Sequence, residues 1–164
     1  MADQAAREQA EQYFARAYEA QMSGDLDGAI ALYRQSIAAV PTAEAHTFLG
    51  WTYSFQGRHE DAIAECHTAI AVDPDFGNPY NDIGAYLIEL GRVEEAIPWL
   101  ERAKRARRYE PRQYPFFNLA RIYVKQDRLM EAVRELRGAL GVEPRYEPAR
   151  RELVRVELLI RQRN

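Results

Sequence analysis

The chain has 164 residues, 47% hydrophobic and 29% charged with a net charge of −3, a composition that fits one folded domain and excludes wholesale disorder. Its one cysteine, Cys66, excludes an internal disulfide framework and a four-cysteine zinc site. No apolar run approaches the ~20 residues of a membrane helix, and residues 1–8 hold no apolar signal core, so a soluble, cytoplasmic protein is expected.

Along the chain the punctuation recurs. Gly24, Gly57, Gly91 and Asp127 follow one another at spacings of 33, 34 and 36 residues, each with an alanine five positions later: Ala29, Ala62, Ala96 and Ala132. A period in the thirties with shared marks is the pattern of a stacked repeat. Residues 10–42 read as a helix ending before Gly24, then a second helix closed by Pro41. Residues 43–76 repeat this, with Ile63, Cys66 and Ile70 on one helical stripe before Pro74. Residues 77–112 lack the closing proline in phase and carry two extra residues around Arg108, Tyr109 and Glu110. Here the second helix should run longer, or the turn before Pro111 should bulge. Pro98 should fall within about the first turn of that helix, where proline is tolerated. Residues 113–146 repeat the unit with Leu129, Val133, Leu136 and Leu140 on one stripe and Pro144 at the close. Residues 145–162 remain as a single helix whose Leu153, Val156 and Ile160 would cover the last repeat, as a stack of repeats requires. The glycines stand where first helices end and a left-handed backbone is needed; aspartate is a tolerable substitute at 127. The predicted fold is all-α: an α-solenoid of about four antiparallel helix pairs plus a C-terminal capping helix.

Each unit also carries a characteristic set of residues. The second has His46, Leu49, Gly50, Tyr53, Ala62, Cys66 and Pro74. The third has Tyr80, Ile83, Gly84, Leu87, Ala96 and Leu100, and the fourth Phe116, Leu119, Ala120, Tyr123, Ala132, Leu136 and Pro144. The first has Tyr13, Arg16, Ala17, Ala20, Ala29, Tyr33 and Pro41, and its Arg16, where an apolar residue is usual, suits an end repeat. This set resembles the tetratricopeptide repeat family. The column Ala17, Gly50, Gly84 and Ala120 places small residues where paired helices approach closely.

No catalytic constellation is present. His46 stands in a packing column, His59 before a helix, and His67 beside Cys66, about 100° away on a helix and so a poor metal partner. Cys66 occupies a core column and reads as a small hydrophobe. The acid pairs at the starts of second helices complement the helix dipole, and every glycine of the punctuation is explained by the repeat. A non-enzymatic protein with no metal and no cofactor is expected.

The resemblance implies a concave groove lined by first helices and holding a peptide segment of a partner. Its columns would present Phe14, Tyr18, Met22, Thr47, Trp51, Phe55, Asn81, Phe117 and Arg121, aromatic-rich at the N-terminal half. Tyr18 and Trp51 should be exposed, whereas Phe14 and Phe55 could equally pack between repeats. The family's clamp for the C-terminal carboxylate of heat-shock chaperones needs lysine or arginine with asparagine in these columns. Here they offer Phe14, Tyr18, Phe48, Asn78 and Asp82, or one repeat later Thr47, Trp51, Asp82, Tyr114 and Asn118. Neither set grips a carboxylate, so a chaperone tail is not the expected partner.

Charge supplies the alternatives. Residues 1–82 carry 4 basic and 13 acidic side chains, whereas residues 83–164 carry 18 basic and 12 acidic. An acidic front and a basic back allow self-assembly into a homo-oligomer. The last helix, apolar on more than one face, offers Arg150, Arg151, Arg155, Leu158 and Leu159 as the assembly surface. Arginine density also raises RNA binding as a distant alternative, but acids interleave with the arginines and the pI is about 5.7, so nucleic acid is not the expected partner.

Overall fold

The computed structural model of the chain describes residues 1–163. Its helices are α1 (Ala2–Met22), α2 (Leu26–Ala39), α3 (Ala43–Phe55), α4 (His59–Val72), α5 (Asn78–Glu89), α6 (Val93–Arg105), α7 (Gln113–Lys125), α8 (Leu129–Val142) and α9 (Glu147–Arg163). Among the described residues the only extended pairing is one parallel bridge between Phe76 and Arg108. No described helix is long and apolar enough to cross a membrane.

Local chemistry sets the helix ends. Gly24, Gly57 and Gly91 have φ of 87°, 73° and 75°, and Asp127 follows at 58°. These are the left-handed turns between paired helices. Asp25 caps α2 by accepting from the Gly28 N–H at 3.0 Å, and Thr42 caps α3 by accepting from the Ala45 N–H at 3.1 Å. The later second helices start differently. Arg58, Arg92 and Arg128 stand at their N-caps and donate to the acids three residues on, Asp61, Glu95 and Glu131.

Packing proceeds pair by pair: α1 on α2, α3 on α4, α5 on α6, α7 on α8, with α9 closing the stack on α8. The first helices also touch one another in order, α1 to α3 to α5 to α7, and form one layer. One core runs through the stack from Ala17 and Tyr33 to Leu136 and Val156. Gly50 and Gly84 allow the close approach. A Cβ on Gly50 would lie 2.9 Å from the Ala62 carbonyl oxygen, and one on Gly84 2.4 Å from Leu100 Cδ2. In α9, Val156 is fully buried while Leu153, Leu159 and Ile160 pack half-buried against the core.

Two local expectations resolve against the simpler reading. The second helix of the third pair does not lengthen; α6 stops at Arg105, and the extra residues enter the turn 106–112. Arg112 holds that turn, its guanidinium donating to the carbonyls of Lys104, Ala106 and Arg107. Pro98 lies in the second turn of α6, deeper than expected. Pro98 and Glu94, whose carbonyl loses its helical donor, are both exposed, so water can satisfy that oxygen.

Candidate functional site

The first-helix layer and the 106–112 turn enclose a cavity of about 570 Å³. Tyr18 of α1, Thr47, Phe48 and Trp51 of α3, and Asn78, Asn81 and Asp82 of α5 line it. Tyr109 and Pro111 of the turn and Tyr114 of α7 complete the wall. The turn reaches this place because its backbone pairs with the segment before α5. The Gly77 N–H donates to the Arg108 carbonyl and the Arg108 N–H to the Asp75 carbonyl, both at 2.9 Å. Tyr109 then packs where a side chain on Gly77 would be, its Cβ only 2.3 Å from a Cβ built there. The Arg108 side chain fastens the same join, bonding Glu44 and Asp73 and lying 4.4 Å above the Phe76 ring.

Aromatic packing fixes the N-terminal wall. Phe48 is the hub, edge-on to Phe14 at 5.1 Å, Tyr18 at 5.9 Å and Trp51 at 5.7 Å, and Trp51 continues to Phe55 at 5.2 Å. Such contacts hold the rings in place, so little side-chain freedom is left for a ligand to remove. On the floor, Asn118 Nδ2 donates to Asn81 Oδ1 at 3.1 Å, which turns the Asn81 amide nitrogen to the donor role its neighbour Asp82 can accept.

Asp82 is the one carboxylate on the wall, and no lining side chain is cationic. Burial pushes its pKa up to about 7, the neighbouring Asn81 amide opposing the shift. Burial also raises the Tyr86 and Tyr109 hydroxyls, with the Asp82 charge adding to each.

Of the residues predicted for the groove, the cavity gathers Tyr18, Thr47, Trp51 and Asn81. Tyr18 is 42% exposed and Trp51 half-buried. Phe14 packs half-buried against the core. Met22 and Phe55, 60% and 56% exposed, sit at the C-terminal ends of α1 and α3. Phe117 packs edge-on to Tyr146 at 5.5 Å, and Arg121, half-buried, approaches the Asn118 side-chain oxygen at 3.4 Å. The remaining wall has two origins. Phe48, Asn78, Asp82 and Tyr114 stand in first-helix columns, so the repeat phase holds a signal for them. Tyr109 and Pro111 lie in the insertion, where phase carries none.

On α9, Arg150, Arg151 and Arg155 are exposed, as are Val154 at 59% and Leu158 at 50%, whereas Leu159 faces the core. Arg155 is engaged by Glu152 of its own helix, and Arg163 bonds Asp127 at 2.7 Å. Two of the three histidines hold structural posts. His46 Nδ1 meets Glu65 Oε2 at 2.7 Å, and His67 lies edge-on to Trp99 at 5.1 Å. Cys66 is buried, which raises its thiol pKa well above the ordinary value. Among the described residues no group of three or more His, Cys, Asp or Glu is gathered as a metal site.

Comparison with known proteins agrees with this architecture. A 32% identical stretch of 89 residues, 54% of this chain, occurs in the small glutamine-rich tetratricopeptide repeat-containing protein 2 of Mycosarcoma maydis, and spans only 25% of that protein. The solved structure of Pseudomonas aeruginosa PilF superposes on 96% of this chain and 72% of its own, with a TM-score of 0.88 at 21% identity. That of YrrB, described as a TPR protein with an unusual peptide-binding site, covers 93% of this chain and 78% of its own at a TM-score of 0.67 and 19% identity. At such identities the likeness is one of fold. The family's sequence pattern matches residues 14–75 and again 49–111, more than half of the chain, which therefore belongs to the tetratricopeptide repeat family.

Proposed function

We propose that this chain is a non-enzymatic interaction scaffold that binds a peptide segment of a partner protein in the cavity on its first-helix layer. The supporting observation is the lining itself: preset aromatic rings beside asparagine amides, open to solvent, in a fold whose relatives include a peptide-binding repeat protein. Rigid aromatics supply contact area at low entropic cost, and amides can both donate to and accept from an extended backbone. Selection of a random dodecamer library on the immobilised chain tests this. Recovered peptides should bind at least tenfold more weakly to the Tyr18→Ala, Trp51→Ala double variant. Equal affinity for the two proteins would refute the groove as the site.

A second reading, self-assembly through α9, has its own observation: Val154 and Leu158 are exposed on one face among Arg150, Arg151 and Arg155. Sedimentation velocity across a salt series separates the readings, since an arginine-driven association weakens with salt.

A further inference from the structure

Elsewhere in this chain, acids that leave the solvent acquire cations, with one exception: Glu143, in the turn after α8, accepts from the Arg145 N–H instead. Glu135, buried, bonds Lys104 at 2.7 Å; Glu65 meets His46; Asp73 meets Arg108. Asp82 departs from this. It is partly buried, lines the cavity and, among the described residues, forms no ion pair. Around it stand the rings of Tyr18, Trp51, Tyr109 and Tyr114, with no cation on the wall. A desolvated carboxylate without a counter-ion is unfavourable in the free protein and gains most from an incoming positive charge. Aromatic faces attract the same charge through their quadrupole. The 1–82 half, with 13 acidic against 4 basic side chains, extends that attraction beyond the pocket.

Resting on the peptide-binding reading above, we infer that the cavity seats a basic side chain of the bound segment, an arginine or a lysine. Asp82 is its counter-ion, and the rings of Tyr18, Trp51 and Tyr109 are its walls. The same lining repels an acidic segment or a C-terminal carboxylate, which would bring a second negative charge beside Asp82.

The test uses N-acetyl-arginine amide and its neutral isostere N-acetyl-citrulline amide, titrated into the full chain and followed by NMR at the Trp51 indole N–H and the Asn81 and Asn118 side-chain amides. The arginine compound should bind at least tenfold more tightly than the citrulline compound and move these resonances. Asp82→Asn should bring that preference within twofold while melting no lower than the parent. Equal binding of the two compounds, a preference that survives Asp82→Asn, or no response at these resonances would each overturn the cation seat. The library selection reports separately on the broader reading: groove-dependent peptides lacking a shared basic residue would leave peptide binding standing and remove the cation seat, whereas failure to recover groove-dependent peptides would remove the peptide reading itself.

Discussion

Asn118 donates from its side-chain nitrogen to the side-chain oxygen of Asn81 across 3.1 Å, joining residues 37 apart on the first helices of neighbouring repeats. This bond ties α5 to α7 at the floor of the cavity and orients Asn81. A half-buried amide pair of this kind contributes about 0.5–1.5 kcal/mol. Asn118→Ala and Asn81→Ala should therefore each destabilise by about 1 kcal/mol, and a double-mutant cycle by urea denaturation should return a coupling of at least about 0.5 kcal/mol. Strictly additive losses would mean that the two amides act independently.

The helix junctions make a contrasting pair of predictions. A side chain on Gly84 collides with Leu100, so Gly84→Leu should cost about 3 kcal/mol or more and Gly84→Ala about 1–3 kcal/mol through overpacking. Gly91 has open space around it but a φ of 75°, so Gly91→Ala should cost about 1 kcal/mol from backbone strain alone. Thermal melts rank the three; a Gly91 variant worse than Gly84→Leu would contradict the assignment of roles.

Much of this architecture is legible in the sequence because stacked repeats write the same constraint several times. The left-handed turns announce themselves as Gly24, Gly57 and Gly91, and one frame extends to Asp127 although the residue differs. The close approach of α5 and α6 is likewise visible as a glycine among small residues. The site is less legible. Its Tyr109 and Pro111 come from an insertion that breaks the period, and their position depends on a backbone join between residues 75–77 and 108 that no helical spacing encodes. Asp82 is in phase, but its meaning comes from what surrounds it, a wall without a cation.

Asp82 has a pH signature. An aspartate titrates at 3.8 ordinarily and at about 7 here. The folded chain thus holds an extra proton between those values, and its contribution to stability is full below about pH 4 and declines as pH rises to about 7. Asp82→Asn removes the declining part. The variant should match the parent near pH 4 and exceed it above pH 7 by on the order of 4 kcal/mol. Urea denaturation at both pH values checks this; a constant difference between the proteins would mean that burial does not perturb the group. Cys66, Tyr86 and Tyr109 all feel the Asp82 charge, so their variants are unsuitable controls.

The two leucines of α9 should separate capping from assembly. Leu159 packs against the core and Leu158 faces out, so Leu159→Glu should destabilise by about 1–3 kcal/mol while Leu158→Glu changes stability by less than about 0.5 kcal/mol. If α9 mediates association, Leu158→Glu alone should abolish it in sedimentation at low salt. A parent chain that is monomeric at every salt concentration removes the assembly reading.

The most direct test of the central claim is to map where a selected peptide binds. Chemical-shift mapping of the isotopically labelled chain should place the largest changes at Tyr18 of α1, along the cavity face of α3 and α5, at Tyr114 of α7 and in the 106–112 turn, with the Trp51 indole N–H among the strongest. Changes concentrated on α2, α4, α6 and α8, or on the outer face of α9, would contradict a scaffold that works through its first-helix groove.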